Sequence, residues 1–419
     1  MGYFTVYGTE MPVSGEVTIS GAKNAALPEL AAAVLCERAV LENCPKLSDT
    51  QTAAEILEKT GFSFKREGKT VFITPNGGEN TEVSKQLCGK MRSSVLFLAP
   101  LLCRCGRAAV YMPGGCCLGA RPVDLHIYAL ERLGAKVECG GEKICARAPN
   151  GLNGAEITLP LPSVGATETA IMAAACARGE SIVKNPAIEP EIEDLCRFLN
   201  SAGADISFGK EIKIRGQNGL LGRAKHRVMP DRIEAGTYLA AAAITGGELY
   251  LKNAGAGHIS AFIKILEDMG CIIKTGDGQI YIDAPARLYL PDLVETAPYP
   301  AFPTDLQPQL TALMAVKRGK CTVRENIFES RLGHIPQLMK MGADIEILDN
   351  STFTVNGLDG PFIGKNVRAC DLRCGAALLL AGLAARGCTV ADGGEYILRG
   401  YEDICKKMSY IGAKMEYST

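Results

Sequence analysis

The sequence predicts an α/β fold built from six copies of one repeated unit, and three features of the 419-residue chain lead to that prediction. A phrase ending in glycine recurs six times at nearly constant spacing. An apolar segment of small residues recurs at about the same interval, and a short strand-like stretch follows each glycine. Repetition at a fixed period indicates that one supersecondary unit is used several times.

The glycine-ended phrase has the form Leu-x-x-x-Gly, with Met at the leading position of the last copy, and predicts the end of an amphipathic helix. Its glycines are 67 to 73 residues apart, at Gly61, Gly134, Gly203, Gly270, Gly342 and Gly412. Glycine directly after a helix adopts the left-handed conformation that closes the last turn. The residues that follow, as in Phe62-Ser-Phe64 and Asp344-Ile-Glu-Ile347, alternate in polarity and predict a strand.

The second recurring phrase is a polar start followed by a helix that is apolar nearly all round, and it predicts a buried helix in each repeat. The starts are Lys23, Arg92, Thr167, Glu234, Asp305, and Asp371 with Arg373. Helix N-termini attract anions, and symmetric repeats would bring these ends together. Any single polar start is equally explained as an N-cap. Lys23 and Arg92 oppose the helix dipole, however, which favours a functional site.

The length of the chain predicts two domains, although six repeats are compatible with one ring or with two groups of three. A break falls near Val228–Pro230, between the third and fourth buried helices. We therefore predict a first domain at 22–229 and a second at 1–21 plus 230–419, with the active site in the cleft between them. The strand at Phe4–Tyr7 is predicted to join the second domain, because the last repeat is short of a strand.

Composition narrows the classes of function. The formal net charge of -1 gives no indication of a nucleic-acid or membrane partner. Seventeen cysteines without a Cys-x-x-Cys pair predict free thiols and a cytoplasmic protein. Only four histidines are present and none has metal-like spacing, so no metal centre is expected. The N-terminus does not resemble a signal peptide, and no obligate protein partner is inferred.

The stretch from Tyr111 to His126 carries the densest chemistry in the chain. It reads Tyr-Met-Pro-Gly-Gly-Cys-Cys-Leu-Gly-Ala-Arg-Pro-Val-Asp-Leu-His, and its glycines predict a turn or mobile loop. Two adjacent thiols, Cys116 and Cys117, precede Arg121, a residue type suited to phosphate or carboxylate. The alternative is a turn with two buried cysteines. The glycines, Pro113 and Arg121 together favour the first interpretation, a lid that covers an anionic substrate.

Seven motifs, in register over essentially the whole chain, resemble the UDP-N-acetylglucosamine 1-carboxyvinyltransferase family of enolpyruvyl transferases. They are residues 20–28, 113–126, 162–168, 230–237, 303–309, 371–373 and 399–402. The resemblance implies two domains, each an inverted α/β barrel of three repeats with buried helices. It also implies a reaction in which phosphoenolpyruvate and UDP-N-acetylglucosamine give the 3-O-enolpyruvyl ether and phosphate, with no cofactor or metal. Such chemistry needs an acid near C3, a base near the sugar hydroxyl and cations around phosphate and carboxylate.

The resemblance also implies roles for individual residues. Cys116, five places before Arg121, matches the acid that protonates C3, forms an adduct with phosphoenolpyruvate and is alkylated by fosfomycin. Asp305 matches the general base, although an N-cap role is compatible with it. Lys23, Asn24, Arg121 and Arg399 match the phosphoenolpyruvate site, with Lys23 and Arg399 also in the catalytic set. The residues matching the nucleotide-sugar site are Arg92, Arg121, Pro122, Val123, Asp124, Leu125, Ser163, Val164, Gly165, Asp305 and Ile327, with Arg331, Asp371 and Arg373 in support.

Two positions depart from the family pattern, and two rival functions remain open. Ser48 and Leu161 stand where many or some members have lysine, which leaves local phosphate contacts in doubt. The closest rival is the shikimate-pathway enolpyruvyl transferase, which shares the repeated fold but not the Cys-bearing loop. The other is an inactive paralogue that binds nucleotide sugars. The retained Lys23, Cys116, Asp305 and Arg399 argue against it.

Overall fold

The structure is a computed structural model that describes residues 2–78, 80–114, 123–329 and 331–419. These residues divide into two compact units. The first unit contains 21–114 and 123–229, and the second contains 2–20 and 230–419. Both mix helices with small sheets, as the predicted α/β class requires.

The strands are short, mostly three to seven residues. In chain order they are β1 Tyr3–Tyr7, β2 Ser14–Thr18, β3 Cys36–Glu42, β4 Phe62–Glu67, β5 Thr70–Pro75, β6 Glu82–Val83, β7 Arg107–Tyr111, β8 Lys136–Gly140, β9 Lys143–Arg147, β10 Glu156–Thr158, β11 Arg178–Lys184, β12 Asp205–Ser207, β13 Ile212–Gln217, β14 Leu221–Arg227, β15 Glu248–Lys252, β16 Ile272–Gly276, β17 Gln279–Asp283, β18 Leu293–Glu295, β19 Arg318–Arg324, β20 Asp344–Ile347, β21 Thr352–Leu358, β22 Phe362–Ile363, β23 Asn366–Arg368, β24 Ala385–Arg386, β25 Cys388–Asp392 and β26 Met415–Ser418.

The helices alternate between buried and amphipathic ones. They are α1 Lys23–Ala32, α2 Ser48–Lys59, α3 Lys85–Lys90, α4 Leu98–Cys105, α5 Asp124–Arg132, α6 Val164–Cys176, α7 Pro190–Ser201, α8 Arg232–Thr245, α9 Ser260–Met269, α10 Gln307–Ala315, α11 Ile335–Lys340, α12 Leu372–Leu383, α13 Gly394–Ile397 and α14 Ile404–Tyr410. Short 3₁₀ turns span Ala33–Leu35, Arg92–Phe97, Ala256–Ile259 and Thr304–Leu306. None of the described helices has the length and apolar character needed to cross a bilayer.

The strands repeat one sheet pattern. Within the described residues, six four-stranded sheets each have one parallel pair followed by two antiparallel pairs. The first unit holds β14-β3-β5-β4, β6-β7-β9-β8 and β10-β11-β13-β12, and the second holds β2-β15-β17-β16, β18-β19-β21-β20 and β23-β25-β1-β26. The sixth sheet takes its third strand from the N-terminus, because β1 pairs with both β25 and β26. The predicted pairing of Phe4–Tyr7 with the last repeat is therefore confirmed.

The six predicted helix-terminating glycines all adopt positive φ, from 81° at Gly412 to 113° at Gly270. This conformation strains residues that carry a Cβ, which explains why glycine recurs at each position. A strand follows each glycine within three residues: β4, β8, β12, β16, β20 and β26. The repeated phrase therefore encodes the same helix–glycine–strand connection in every repeat.

The apolar helices form the centre of each unit. In the second unit, α8, α10 and α12 pack against one another, and nearly all their residues are buried. In the first unit, α1, α4 and α6 have the same role. With helices inside and sheets outside, each unit is an inverted α/β barrel. Several predicted starts differ. Helix α6 begins at Val164 and α8 at Arg232, so Thr167 and Glu234 lie inside their helices, whereas Arg92 and Asp305 lie in 3₁₀ turns that precede α4 and α10.

Candidate active site

Asp305 lies between two guanidinium groups in the second unit. Its Oδ1 is 2.8 Å from Nη1 of Arg331, and its Oδ2 is 2.7 Å from Nη2 of Arg373. Both arginine side chains are about 5% exposed or less, whereas that of Asp305 is 24% exposed. The carboxylate is therefore held by buried cations and presents part of itself to the surface, as a proton acceptor for a bound substrate must do.

Local sequence explains how these three side chains meet. Asp305 is in the 3₁₀ turn between Pro303 and α10, and neither the turn nor α10 has a side-chain cap. Asp371 caps α12 instead, because its Oδ1 accepts hydrogen bonds from the backbone N–H groups of Arg373 and Cys374 at 2.7 and 3.0 Å. This cap fixes the first turn of α12, from which Arg373 extends to Asp305. The sequence allowed an N-cap role for Asp305. In the structure its carboxylate pairs with the two arginines.

The protonation of Arg373 follows from the same contacts. Burial lowers the pKa of its guanidinium, but the charges of Asp305, Tyr401 and Asp231 outweigh burial and leave the pKa raised. Arg373 is therefore a permanent cation beside Asp305. A carboxylate between two such cations is favoured in its ionised form.

A buried carboxylate, Glu325, organises the other side of this cluster. Its Oε1 accepts hydrogen bonds from the Thr296 hydroxyl at 2.9 Å and from the backbone N–H groups of Ile327 and Phe328 at 3.0 and 3.1 Å. Its Oε2 accepts one from the Thr304 hydroxyl at 2.9 Å, and Arg331 donates to that hydroxyl at 2.8 Å. Glu325 therefore connects the half-buried Ile327 to the arginine that holds Asp305.

Lys23, the first residue of α1 in the first unit, is held by an acid from the next helix. Its Nζ is 3.6 Å from Oδ2 of Asp49, and both side chains are mostly buried, at 14% and 5% exposure. The helix has no side-chain cap at its start, where Asn24 is half-buried. A lysine there needs a nearby anion, and Asp49 meets part of that need while the amine stays near the surface.

The two predicted nucleotide-sugar segments of the first unit meet at His126. A Cβ on Gly165 would lie 2.7 Å from Cε1 of the His126 ring, so only glycine allows this approach. Nδ1 of His126 is 2.8 Å from the Thr169 hydroxyl on α6. Burial, followed by the charge of Arg92, lowers the pKa of His126 to about 4, so its imidazole is neutral near pH 7. Arg92 therefore belongs to the same neighbourhood.

The remaining predicted residues of the two segments differ in exposure. Asp124 begins α5 and is exposed, while Val123 is buried and Leu125 half-buried. The hydroxyl of Ser163 caps α6 by accepting from the backbone N–H of Ala166 at 3.5 Å, and Val164 is 38% exposed. The starts of α5 and α6 therefore expose residues next to the packed His126, and a ligand could contact these exposed residues.

Comparisons with known proteins decide the family. A sequence profile described as EPSP synthase (3-phosphoshikimate 1-carboxyvinyltransferase) matches residues 8–408. Curated proteins named UDP-N-acetylglucosamine 1-carboxyvinyltransferase are similar along nearly the whole chain. One from Granulibacter bethesdensis is 45% identical and covers 97% of both chains, and one from Finegoldia magna is 44% identical and covers 96% of both. The chain belongs to the enolpyruvyl transferase family.

Solved structures of enolpyruvyl transferases share the fold. NikO from Streptomyces tendae matches with a TM-score of 0.89 at 25% identity, covering 100% of this chain and 99% of its own. EPSP synthase from Acinetobacter baumannii matches with a TM-score of 0.76 at 19% identity, covering both chains fully. The inverted α/β barrels implied by the resemblance are thus confirmed.

The structure brings some of the expected enolpyruvyl transferase residues together and does not reach others. Asp305, Arg331, Asp371 and Arg373 form one cluster, and Arg399 is half-buried in the same unit. Cys116, Cys117, Arg121 and Pro122 lie outside the described residues, so their roles remain predictions, as does the location of the site between the two domains. Ser48 and Leu161 are both exposed, so the lysine charge that is missing at these two positions is missing from the surface.

Sequence reasoning missed Glu325 and His126 as functional candidates. Glu325 could have been noticed as an acid directly after a strand that precedes a motif residue, Ile327. His126 ends the Pro113–His126 motif, but its contact with Gly165 is visible only when α5 packs on α6. Two further motif acids lie at the start of α8: Asp231 caps the helix, and Glu234 pairs with Lys407 at 2.5 Å.

Proposed function

We propose that the chain transfers the enolpyruvyl group of phosphoenolpyruvate to the 3-hydroxyl of UDP-N-acetylglucosamine and releases phosphate, the first committed step of peptidoglycan synthesis. The observation that carries the proposal is the partly exposed Asp305 carboxylate between Arg331 and Arg373. It is supported by relatives of this name that are 42–45% identical over nearly the whole chain. The proposed compartment is the cytoplasm, where both substrates are made available to such an enzyme.

Asp305 acts as the base for the sugar hydroxyl. Its ionised form can accept the hydroxyl proton as the oxygen attacks C2 of phosphoenolpyruvate. The two guanidiniums fix the direction of the carboxylate and leave its accessible part for the substrate, which orients the proton transfer.

Lys23, Arg121 and Arg399 supply positive charge to the phosphate and carboxylate of phosphoenolpyruvate, with Asn24 as a hydrogen-bonding partner. Cations placed where negative charge accumulates stabilise the phosphate as it leaves. Lys23 is suited to this role because it begins α1 and because its side chain, which is 14% exposed, lies beside Asp49.

Cys116 donates the proton to C3 and can form a covalent adduct with phosphoenolpyruvate, a role that rests on the family motif alone. The later loss of a C3 proton expels phosphate and leaves the enol ether, so no oxidant or external group is needed. Residues 121–125, Ser163–Gly165, Arg92 and Ile327 hold the nucleotide sugar.

The test is a phosphate-release assay on the full chain with phosphoenolpyruvate and one of two acceptors. Turnover with UDP-N-acetylglucosamine and none with shikimate-3-phosphate is the expected result. Turnover with shikimate-3-phosphate alone would assign the chain to the activity printed for the matched profile. Binding of UDP-N-acetylglucosamine without any phosphate release would identify an inactive nucleotide-sugar-binding protein.

A further inference from the structure

Three ionisable side chains converge inside the first unit, far along the chain from one another. Glu29 comes from the interior of α1, Asp194 from α7 and His226 from β14. Nε2 of His226 lies 3.0 Å from Oδ1 of Asp194 and 3.5 Å from Oε1 of Glu29. Among the described residues this is a cluster whose ligand-type atoms all lie within 4.8 Å of one another.

Glu29 is the least satisfied member of the cluster. Glu29 is fully buried, and neither of its carboxylate oxygens has a hydrogen-bond partner. His226 offers a single Nε2 to two acids and lies closer to Asp194, whose Oδ2 also accepts the backbone N–H of Met229 at 2.8 Å. Burying an ionised carboxylate without a hydrogen bond is strongly unfavourable, so Glu29 must be neutralised by a proton or by a bound cation.

A buried glutamate of the second unit shows a different solution. Glu234 of α8, near β2, receives Nζ of Lys407 at 2.5 Å and the backbone N–H of Ser20 at 2.7 Å. Among the described residues Glu29 pairs with no lysine, and the imidazole beside it is a metal-ligating group.

We propose that Glu29, Asp194 and His226 bind a divalent transition-metal ion, with Zn²⁺ as the best match, at a structural site separate from the catalytic residues. Zinc bonds to imidazole nitrogen and carboxylate oxygen are about 2.0–2.2 Å, which puts tetrahedral ligands roughly 3.3 Å apart. The measured separations of 3.0 and 3.5 Å bracket that value. Two ionised carboxylates balance the charge of the ion.

The surroundings also suit a metal. The Met229 N–H fixes the second oxygen of Asp194, and the Phe198 ring lies edge-on to the His226 ring with centroids 6.1 Å apart. Such outer contacts orient metal ligands. The His226 side chain is 12% exposed, so the cluster lies close to the surface of the unit. The ion would join α1 of the first repeat to α7 and β14 of the third.

The test uses the full chain, reduced and stripped with a chelator, and then titrated with ZnCl₂. One equivalent should bind, and a hundredfold excess over the dissociation constant should raise the unfolding temperature by roughly 5–10 °C. Glu29→Gln and His226→Asn should each weaken binding at least about a hundredfold, because even outer partners of a ligand contribute 10- to 100-fold. Glu295→Gln, an exposed acid of the second unit, is the matched control and should bind like the parent.

Cobalt distinguishes this site from the many thiols of the chain. Co²⁺ bound by nitrogen and oxygen should give visible d–d bands without thiolate-to-cobalt charge transfer, and Glu29→Leu, which folds without a buried charge, should lose those bands. Thiolate charge transfer, or full binding by Glu29→Leu, would overturn the proposal. It would also be overturned if Zn²⁺ left the unfolding temperature unchanged while Glu29→Leu raised it, since a proton alone would then neutralise Glu29.

Discussion

Asp305 in the second unit and Glu29 in the first are both carboxylates of segments that form buried helices, yet their surroundings differ. Asp305 has a guanidinium on each oxygen and a side chain that is 24% exposed. Glu29 has an imidazole 3.5 Å away, no hydrogen bond and no exposure. The first arrangement keeps an ionised group accessible to a substrate. The second cannot reach a substrate and instead needs a cation or proton of its own.

The comparison shows that residue type alone does not assign a role to a buried acid. What decides is the balance of charge around the carboxylate and its access to the surface. Asp305 should therefore affect turnover directly, whereas Glu29 should affect folding and ion binding with little effect on turnover. Four substitutions test how charge and packing around such groups set their roles in the two units, and they are ordered by expected size.

The largest effect is expected from Asp305→Asn. The amide keeps the shape of the side chain but cannot accept the hydroxyl proton, so kcat should fall about a thousandfold, or roughly 4 kcal/mol. Affinity for UDP-N-acetylglucosamine, measured by calorimetry, should change little. Asp268→Asn, on an exposed i,i+4 pair, serves as the control. Near-parental turnover in Asp305→Asn would show that another group accepts the proton.

Lys407→Met would remove the cation that pairs with a buried acid of the second unit. Of the hydrogen bonds described above for Glu234, only the one from the Ser20 N–H would remain. Breaking a buried ion pair should lower the free energy of unfolding by about 3 kcal/mol. Urea unfolding measures this. Lys264→Met removes an exposed pair and should cost less than about 0.5 kcal/mol. Equal effects of the two variants would contradict the burial argument.

The sequence predicted the scaffold better than the clusters inside it. Helix-ending glycines, apolar helices and the N-terminal strand depend on local patterns that repeat every 67 to 73 residues, so they could be recognised without a structure. Asp305 and Arg373 could be predicted as site residues because they lie in motifs at predicted helix starts. The group around Glu29 joins residues 165 and 32 positions apart, so sequence spacing could not reveal it. Its sole signal was a glutamate inside the apolar segment Lys23–Ala32.

Glu325→Gln tests whether the Asp305 cluster depends on a second buried acid. The amide is expected to keep its oxygen at the Oε1 position and to present its N–H₂ group to the Thr304 hydroxyl, so one hydrogen bond to a charged acceptor is lost. Such bonds contribute about 2 kcal/mol. We expect the KM for UDP-N-acetylglucosamine to rise roughly tenfold or more, with a smaller change in kcat and an unchanged pH profile.

Glu325→Asp keeps the charge and should recover part of the affinity, which a purely structural loss of stability would not do. Glu295→Gln removes an exposed acid that pairs with Arg324 at 3.0 Å and should leave both kinetic constants unchanged. A fall in kcat with a normal KM would mean that Glu325 acts on Asp305 alone and not on the Ile327 segment.

The smallest effect is expected in the first unit, from Gly165→Ala. Its new methyl group would lie 2.7 Å from Cε1 and 2.8 Å from Nε2 of His126, so the ring must move away from Thr169 or α5 must shift from α6. Overpacking of this kind costs about 1 kcal/mol where a side chain can turn aside. We expect a roughly fivefold weaker affinity for UDP-N-acetylglucosamine by calorimetry, and an unfolding free energy lowered by no more than about 1 kcal/mol.

Gly89→Ala is the matched control, because a Cβ there meets nothing within 4 Å and alanine favours the helix α3. Parental affinity in Gly165→Ala would show that the His126 contact does not shape the nucleotide-sugar site, whereas equal losses in both variants would point to a general effect of adding a methyl group.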